Sequence, residues 1–376
     1  MGDAAVLIGS SGAMAHGEGE RMETLPTLAR SRMARGPRSR VAGFFTFVAS
    51  ALVILAGCAG AQTSSAPSGL ATRLSTASAV VTPQFDPGVG APLPNNRIVA
   101  AYGIVGGIDA NGPASTLDML NSYLPQLQSL GKQYAELDPI HPVKLGIDLV
   151  VNVIQPCSAF PRYCGSWPDD SVIQAYIDFA KQHDLLVFFD LQLAVEPVEH
   201  AVTEHLLSYL KQYPFTELAL DTEFHFQDNP IGHARAAAYP SYTGCVDAKD
   251  INWASDQLAQ ISLTNHLPRK VLLIHQFSPV VFSADVACQT TNKDQIKRNP
   301  NVSLVLQADG FGGYVDKAAR YQEFVQQELL EYGGYKVFYH YSDSGSFDFA
   351  DFSNPAPQTP QEVLQLFPQP IFISYQ

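Results

Sequence analysis

The chain has 376 residues, 46% of them hydrophobic, 10% aromatic and only 16% charged, which excludes a disordered polyelectrolyte and allows a large core. Twenty-three Lys and Arg stand against 36 Asp and Glu, a formal net charge of −13, and that balance excludes binding to nucleic acid through its phosphates. A chain of this length fits either two ordinary domains or one α/β barrel of about 250 residues.

Residues 1–57 hold Arg21, Arg30, Arg32, Arg35, Arg38 and Arg40, and an uncharged run, 41–57 (VAGFFTFVASALVILAG), leads to Cys58. A basic segment before a short apolar run reads as a secretory signal, removed in the mature protein. A plain transmembrane anchor is the alternative, although the run lies at the short end of the ~17–25 residues a span needs. Leu55-Ala56-Gly57-Cys58 resembles the lipobox of bacterial lipoproteins. That resemblance implies that Cys58 receives a diacylglyceryl group, becomes the N-terminus and anchors the protein outside the cell membrane. Met22 and Met33 are alternative in-frame starts.

Beyond residue 57 the chain keeps 17 basic and 32 acidic residues, a net charge of −15. Such a surface suits a neutral or cationic partner better than a polyanion or an anionic lipid face. Residues 58–96 are rich in Ala, Ser, Thr, Pro and Gly and read as a flexible tether. The folded domain is then expected over 97–376. Export places Cys157, Cys164, Cys245 and Cys288 in an oxidising compartment, so two disulfides are expected. Three pairings are possible, of which Cys157–Cys164 with Cys245–Cys288 is favoured. A metal site is the alternative, but no His-Cys clustering at ligand spacing accompanies these cysteines.

From Arg97 onward, short apolar runs alternate with helical patterns. Strands are expected at 97–103, 144–153, 185–193, 217–224, 270–277, 302–309, 336–341 and 370–375. Helices are expected at 115–131, 169–183, 198–212, 247–265, 292–298, 315–332 and 359–366. Asp169-Asp170 put acids at the positive end of one helix, and Pro360 opens the last as an N1 proline does. Repeated β-α units imply a parallel sheet with right-handed crossovers. Eight of them predict an α/β fold, a (β/α)8 TIM-type barrel with the eighth helix absent. An open doubly wound sheet is the runner-up. No G-x-G-x-x-G or P-loop pattern follows the first strand, so no nucleotide or other cofactor is expected.

In such a barrel the active site lies at the C-terminal strand ends, and polar residues gather there. They are Tyr102, Asp190 and Gln192, Asp221 and Glu223, His275, Gln307 and Asp309, and Tyr339. Period-two geometry places Asp221 and Glu223 on one strand face with Ala219, while Leu218 and Leu220 face the helices. Clustered carboxylates split into a protonated acid and an ionised partner, the pair that glycoside hydrolysis uses. Glu223 is the expected acid. Asp221 would orient it, and Asp309 is the next candidate. Asp190, Gln192, His275 and Gln307 would hydrogen-bond sugar hydroxyls, and Tyr102 and Tyr339 would stack on sugar faces.

Plainer roles compete: Asp190 as a loop cap, His275 as a satisfied core histidine, and Asp309-Gly310 as a tight turn. A metal centre built from Asp190, Asp221, His275 and Asp309 is the rival chemistry. No H-x-H or H-E-x-x-H spacing supports it, so no metal is expected, and no G-x-S-x-G nucleophile elbow occurs.

The Asp221-x-Glu223 strand ending resembles the fourth-strand motif of family-18 chitinase-like barrels, where the Glu is the acid and the Asp assists it. That family's two earlier aspartates fall on Thr216 and Ala219 here. More widely, VVNVIQP, LVFFDLQL, LALDTEF, VLLIHQF, ADGFGG and ISYQ are similar to segments of an uncharacterised family of bacterial lipoproteins. That resemblance implies a barrel on a lipid anchor. The expectation is a lipid-anchored, glycosidase-like hydrolase acting on carbohydrate. A non-catalytic glycan- or solute-binding lipoprotein is the alternative.

Overall fold

Alternation along a strand sorts its side chains into two rows, and the two rows of this sheet have different fates. In the computed structural model, which describes residues 85–103, 113–282, 293–310, 313–327, 330–338, 340–341, 347–348 and 358–376, eight parallel strands form one closed ring. They are β1 (Arg97–Tyr102), β2 (Val143–Ile154), β3 (Leu186–Leu191), β4 (Thr216–Leu220), β5 (Lys270–Gln276), β6 (Val302–Ala308), β7 (Tyr332–Val337) and β8 (Phe372–Tyr375). Neighbours in sequence pair in parallel, and β1 pairs with both β2 and β8, so the ring has no free edge. The expected TIM-type α/β barrel is therefore the fold.

The outward row is aliphatic. Val99, Leu149, Phe189, Leu218, Ile274 and Leu306 pack with Leu120, Ile173, Tyr176, Ile251 and Leu258 of the surrounding helices. The inward row begins apolar: Ile98, Ala100, Phe188, Ala219, Leu273, Val305 and Phe372 form a separate plug. Two residues further along each strand, that same row turns polar and stays buried, giving Tyr102, Asp148, Asp190, Asp221, His275, Gln307, Lys336 and Ser374. At the opposite, N-terminal end, Arg97 binds Asp138 at 2.8 Å and the carbonyl of Pro370. That contact closes the base of the barrel.

The connections are helical. They comprise α1 (Pro113–Leu137), α2 (Asp170–His183), α3 (Val198–Ala201) joined by a π turn (Val202–Leu206) to α4 (Leu207–Gln212), α5 (Pro230–Ala237), α6 (Ala248–Asn265), α7 (Tyr314–Tyr321) and α8 (Pro360–Val363). Pro360 takes the first position of α8, behind a complete capping box between Thr359 and Glu362. β8 is the last element in chain order among the described residues.

Several boundaries differ from the sequence expectation. α1 runs on to Leu137, because Leu120, Leu127 and Tyr134 continue one buried stripe. Between β5 and β6 the described residues show only 3-10 turns, at Pro279–Phe282 and Lys293–Gln295, where a helix at 292–298 was expected. β7 starts at Tyr332 and not 336, because Gly333 and Gly334 lie inside the strand and are not a helix stop. A Cβ on Gly333 would collide with the Tyr321 hydroxyl, and one on Gly334 would press on Gln307. The body also begins before Arg97. Leu93 is fully buried in the barrel plug, and Arg269 donates to the carbonyl of Leu93. Leu93, within the span 58–96 expected as tether, thus packs as part of the barrel body.

The Cys157–Cys164 disulfide is present. Cys245 is disulfide-bonded as well, while Cys288 lies outside the described residues. So do the run 41–57, Cys58 and Tyr339.

Candidate active site

The polar ends of the inward rows open into a cavity of about 320 Å³, at the lower end of the range for small-ligand pockets. Tyr102, Gln192, Asp221, Glu223, Asp309 and Lys336 line it, and Phe224, Tyr239, Tyr242, Phe277 and Phe338 supply apolar walls.

β4 stops at Leu220, earlier than expected. Asp221 leads into a 3-10 turn, Thr222–Phe224, fastened by a 2.7 Å bond from the Thr222 hydroxyl to the His275 carbonyl. Asp221 and Glu223 thus do not share a strand face: Asp221 continues the inward row just past β4, and the turn carries Glu223 to the cavity. The Tyr102 hydroxyl donates to Asp221 Oδ2 at 2.7 Å. Glu223 also hydrogen-bonds Asp221. Burial, then the charges of Asp221 and Asp309, hold the Glu223 carboxyl well above the usual carboxylate range. Of the two, Glu223 is the carboxyl whose proton is favoured by its surroundings.

Asp309 has the opposite state. Burial alone would raise it, but Lys336 Nζ at 2.9 Å and His275 Nδ1 at 3.2 Å outweigh that and hold it well below the usual range. Its second oxygen accepts the Gly310 amide at 2.6 Å. Gly310 sits at φ +95°, where a side chain would be strained and a Cβ would meet Arg320. Lys336 is itself buried, with Nζ 3.3 Å from the Tyr102 ring centroid. Asp309, Asp221 and Glu223 raise its pKa against the effect of burial.

Beneath the cavity floor, His275 is ringed by four carboxylates. Asp148 and Asp190 approach Nε2 at 3.9 and 3.7 Å, while Asp221 and Asp309 approach Nδ1 at 3.8 and 3.2 Å. Burial opposes the charge, but Asp190, Asp221 and the Asp309 bond raise the imidazole to about 9. Burial pushes Asp148 up to about 7 and Asp190 well above its ordinary value. Both oxygens of Asp148 and of Asp190, together with His275 Nε2, have no hydrogen-bond partner among the described residues. Five carboxyls thus share a buried region with two cationic groups, and some of the acids must hold protons or a cation.

The expected residues divide accordingly. Tyr102, Gln192, Asp221, Glu223 and Asp309 line the cavity. Asp190, His275 and Gln307 do not, because each is fully buried below it. They lie beneath its floor and do not reach the cavity surface where a direct contact with a sugar would be made. Gln307, for example, accepts the Ser374 hydroxyl at 3.2 Å and lies 3.4 Å from His275 Nδ1.

Asp148 and Lys336 are additions. Asp148 was detectable as a charged residue in the inward row of an otherwise aliphatic strand. Lys336 was hidden by the misplaced start of β7. The aromatic walls at Tyr239 and Tyr242 come from a loop after β4 and carry no periodic signal. A larger cavity of about 670 Å³, lined by Phe282, Lys293 and Phe324, gathers no comparable acid cluster among its described lining residues.

Fold and site together define a TIM-type barrel with an acid-floored, aromatic-walled pocket at its C-terminal mouth. Comparison with protein-family models, with curated proteins and with solved structures returned no match.

Proposed function

We propose that the protein is a glycoside hydrolase-like enzyme, with Glu223 as the acid that protonates the leaving glycosidic oxygen. The supporting observation is the split of protonation states within one pocket. Glu223 is held protonated against Asp221, while Asp309 is held ionised by Lys336 and His275. As the bond to the leaving group breaks, positive charge grows on the sugar ring. Asp221 and Asp309 supply the facing negative charge, and the aromatic walls suit the apolar faces of a sugar. Export and a lipid anchor at Cys58 belong to the same proposal, since they bring the pocket to envelope or environmental glycans.

Glu223→Gln tests the reading. The amide keeps the shape of a protonated carboxyl but cannot give up a proton. Turnover of any glycan cleaved by the wild type should fall by ~10²-fold or more with the melt nearly unchanged; retained turnover removes Glu223 from the acid role. Cys58→Ser should release the protein from membranes, and continued retention would favour a spanning helix.

A metal-dependent hydrolase is the second reading, favoured by the unpartnered oxygens of Asp148 and Asp190 around His275 Nε2, which lie within 4.8 Å of one another. Carboxylates with one imidazole suit a divalent ion. The Nδ1 side of His275 already has Lys336 beside Asp309 as its cation. Chelation separates the readings: turnover that survives chelator and dialysis excludes the metal, and turnover lost then and restored by a divalent ion supports it.

A further inference from the structure

A second group of ligating side chains lies outside the pocket. Glu196 follows β3, and His200 and His205 come from the helical run after it. The two histidines are five residues apart, which an ordinary α-helix would turn about 140° away from each other. The π turn Val202–Leu206 reduces that offset, because its wider i→i+5 winding brings residues five apart closer to one face. Both imidazoles consequently approach one atom. His200 Nδ1 lies 2.8 Å and His205 Nε2 3.6 Å from Glu196 Oε1.

A simple Glu–His hydrogen bond needs only His200; at 3.6 Å the second imidazole makes no hydrogen bond. A tetrahedral ion with bonds of about 2.0–2.1 Å sets neighbouring ligand atoms ~3.3 Å apart. The two observed separations bracket that value, and all three atoms lie within 4.8 Å of one another.

The surroundings hold the group in place. Glu196 Oε2 accepts the indole N–H of Trp167 at 2.9 Å and the Asn152 amide at 2.8 Å, which leaves Oε1 for the histidines. Trp167 stacks on the His205 ring, with centroids 4.0 Å apart and planes 17° from parallel. Outer partners that fix a carboxylate and a ring are what metal ligands require. Glu196 is 2% exposed, but His200 and His205 are 31% and 36% exposed, so the outward face is open to water.

We propose that Glu196, His200 and His205 form a zinc-class metal site through Oε1, Nδ1 and Nε2, with the remaining position open to solvent. One carboxylate and two imidazoles are borderline donors that select Zn(II) or its neighbours over Ca(II) and Mg(II). The ion takes the place of the proton shared by Glu196 and His200, whose ring then carries its N–H on Nε2. None of the three residues lines the glycan pocket, so the site stands whether or not the hydrolase reading does.

The test uses the full chain, stripped with chelator, dialysed and titrated with Zn(II) and Co(II). One equivalent should bind, or two if the Asp148, Asp190 and His275 group also takes an ion; Co(II) should give the intense visible absorption of a four- or five-coordinate ion, and X-ray absorption on the zinc form of Asp190→Asn should report two imidazoles. His200→Ala and His205→Ala should each weaken binding by at least about tenfold, while Asp190→Asn should not. An all-oxygen shell, wild-type affinity in both histidine variants, or loss of the ion only with Asp190→Asn would each overturn the proposal. The Co(II) absorption needs only the wild type, so a variant that fails to fold leaves the test intact.

Discussion

Lys336 decides the electrostatics of the pocket because it is a buried cation among several acids. It holds Asp309 at 2.9 Å and is 3% exposed. Replacing it by Met keeps the apolar stem but leaves a buried carboxylate short of its main counter-charge. Breaking a buried pair from one side costs about 3–5 kcal/mol, and denaturant unfolding of Lys336→Met should show a loss of that order. A loss below about 1 kcal/mol would mean that Asp309 is not ionised in the native protein. Asp190→Asn should behave in the opposite way. Burial, only partly offset by His275, raises the Asp190 carboxyl well above its ordinary value, so ionising it costs more than in water, and an amide of the same shape avoids that cost. In chelator its melt should lie at or above that of the wild type; a clear drop would show that an ionised Asp190 is required.

At the scale of elements, the barrel closes through β8, and α8 is the short helix that delivers it. Thr359 accepts the Glu362 amide at 3.3 Å while Glu362 accepts the Thr359 amide at 2.8 Å. Thr359→Ala removes half of that box and should cost about 1 kcal/mol, a fall of roughly 2–4 °C in a domain of this size. An unchanged melt would mean that α8 is held by packing of Val363 and Leu366 alone. This helix start was readable in the sequence, since Pro at N1 and Glu at N3 are local signals. The inward rows were equally readable, because alternation needs no partner to be seen. Elements whose form is set from outside the segment were not. Gly333-Gly334 looks like a stop until Tyr321 and Gln307 are found against it. Glu223 looks like a strand residue until Thr222 is seen bonded across to β5. The π turn that aligns His200 with His205 has no signature in periodicity, and Leu93 reads as tether until the barrel it plugs exists.

For the whole molecule, the buried acid cluster makes stability depend on pH with a sign opposite to that of ordinary acid denaturation. In metal-free protein His275 titrates near 9 when folded, against about 6.5 when unfolded. A raised pKa means that the native state holds its proton longer, so the contribution is complete below about 6.5 and is lost as pH rises through about 9. The gap corresponds to on the order of 3 kcal/mol. Asp148 acts in the same direction: with its native pKa raised to about 7 from 3.8, the native state is disfavoured progressively as pH climbs across that interval. Asp309 acts the other way, but only in strong acid, because its native pKa is depressed and its contribution fades as pH falls below the ordinary carboxylate value. Urea midpoints measured in chelator should therefore be higher at pH 6 than at pH 9, with most of the fall above pH 6.5. His275→Gln should flatten that upper part of the curve. A divalent ion held by Asp148, Asp190 and His275 would keep the imidazole neutral throughout and flatten it too, so the slope should appear on chelation if such an ion is native and be present from the start if protons alone balance the cluster. A wild-type curve that rises between pH 6.5 and 9 in chelator would show that His275 is uncharged at the centre of the acids, and with it would fall the assignment of Asp309 as an ionised partner to Glu223.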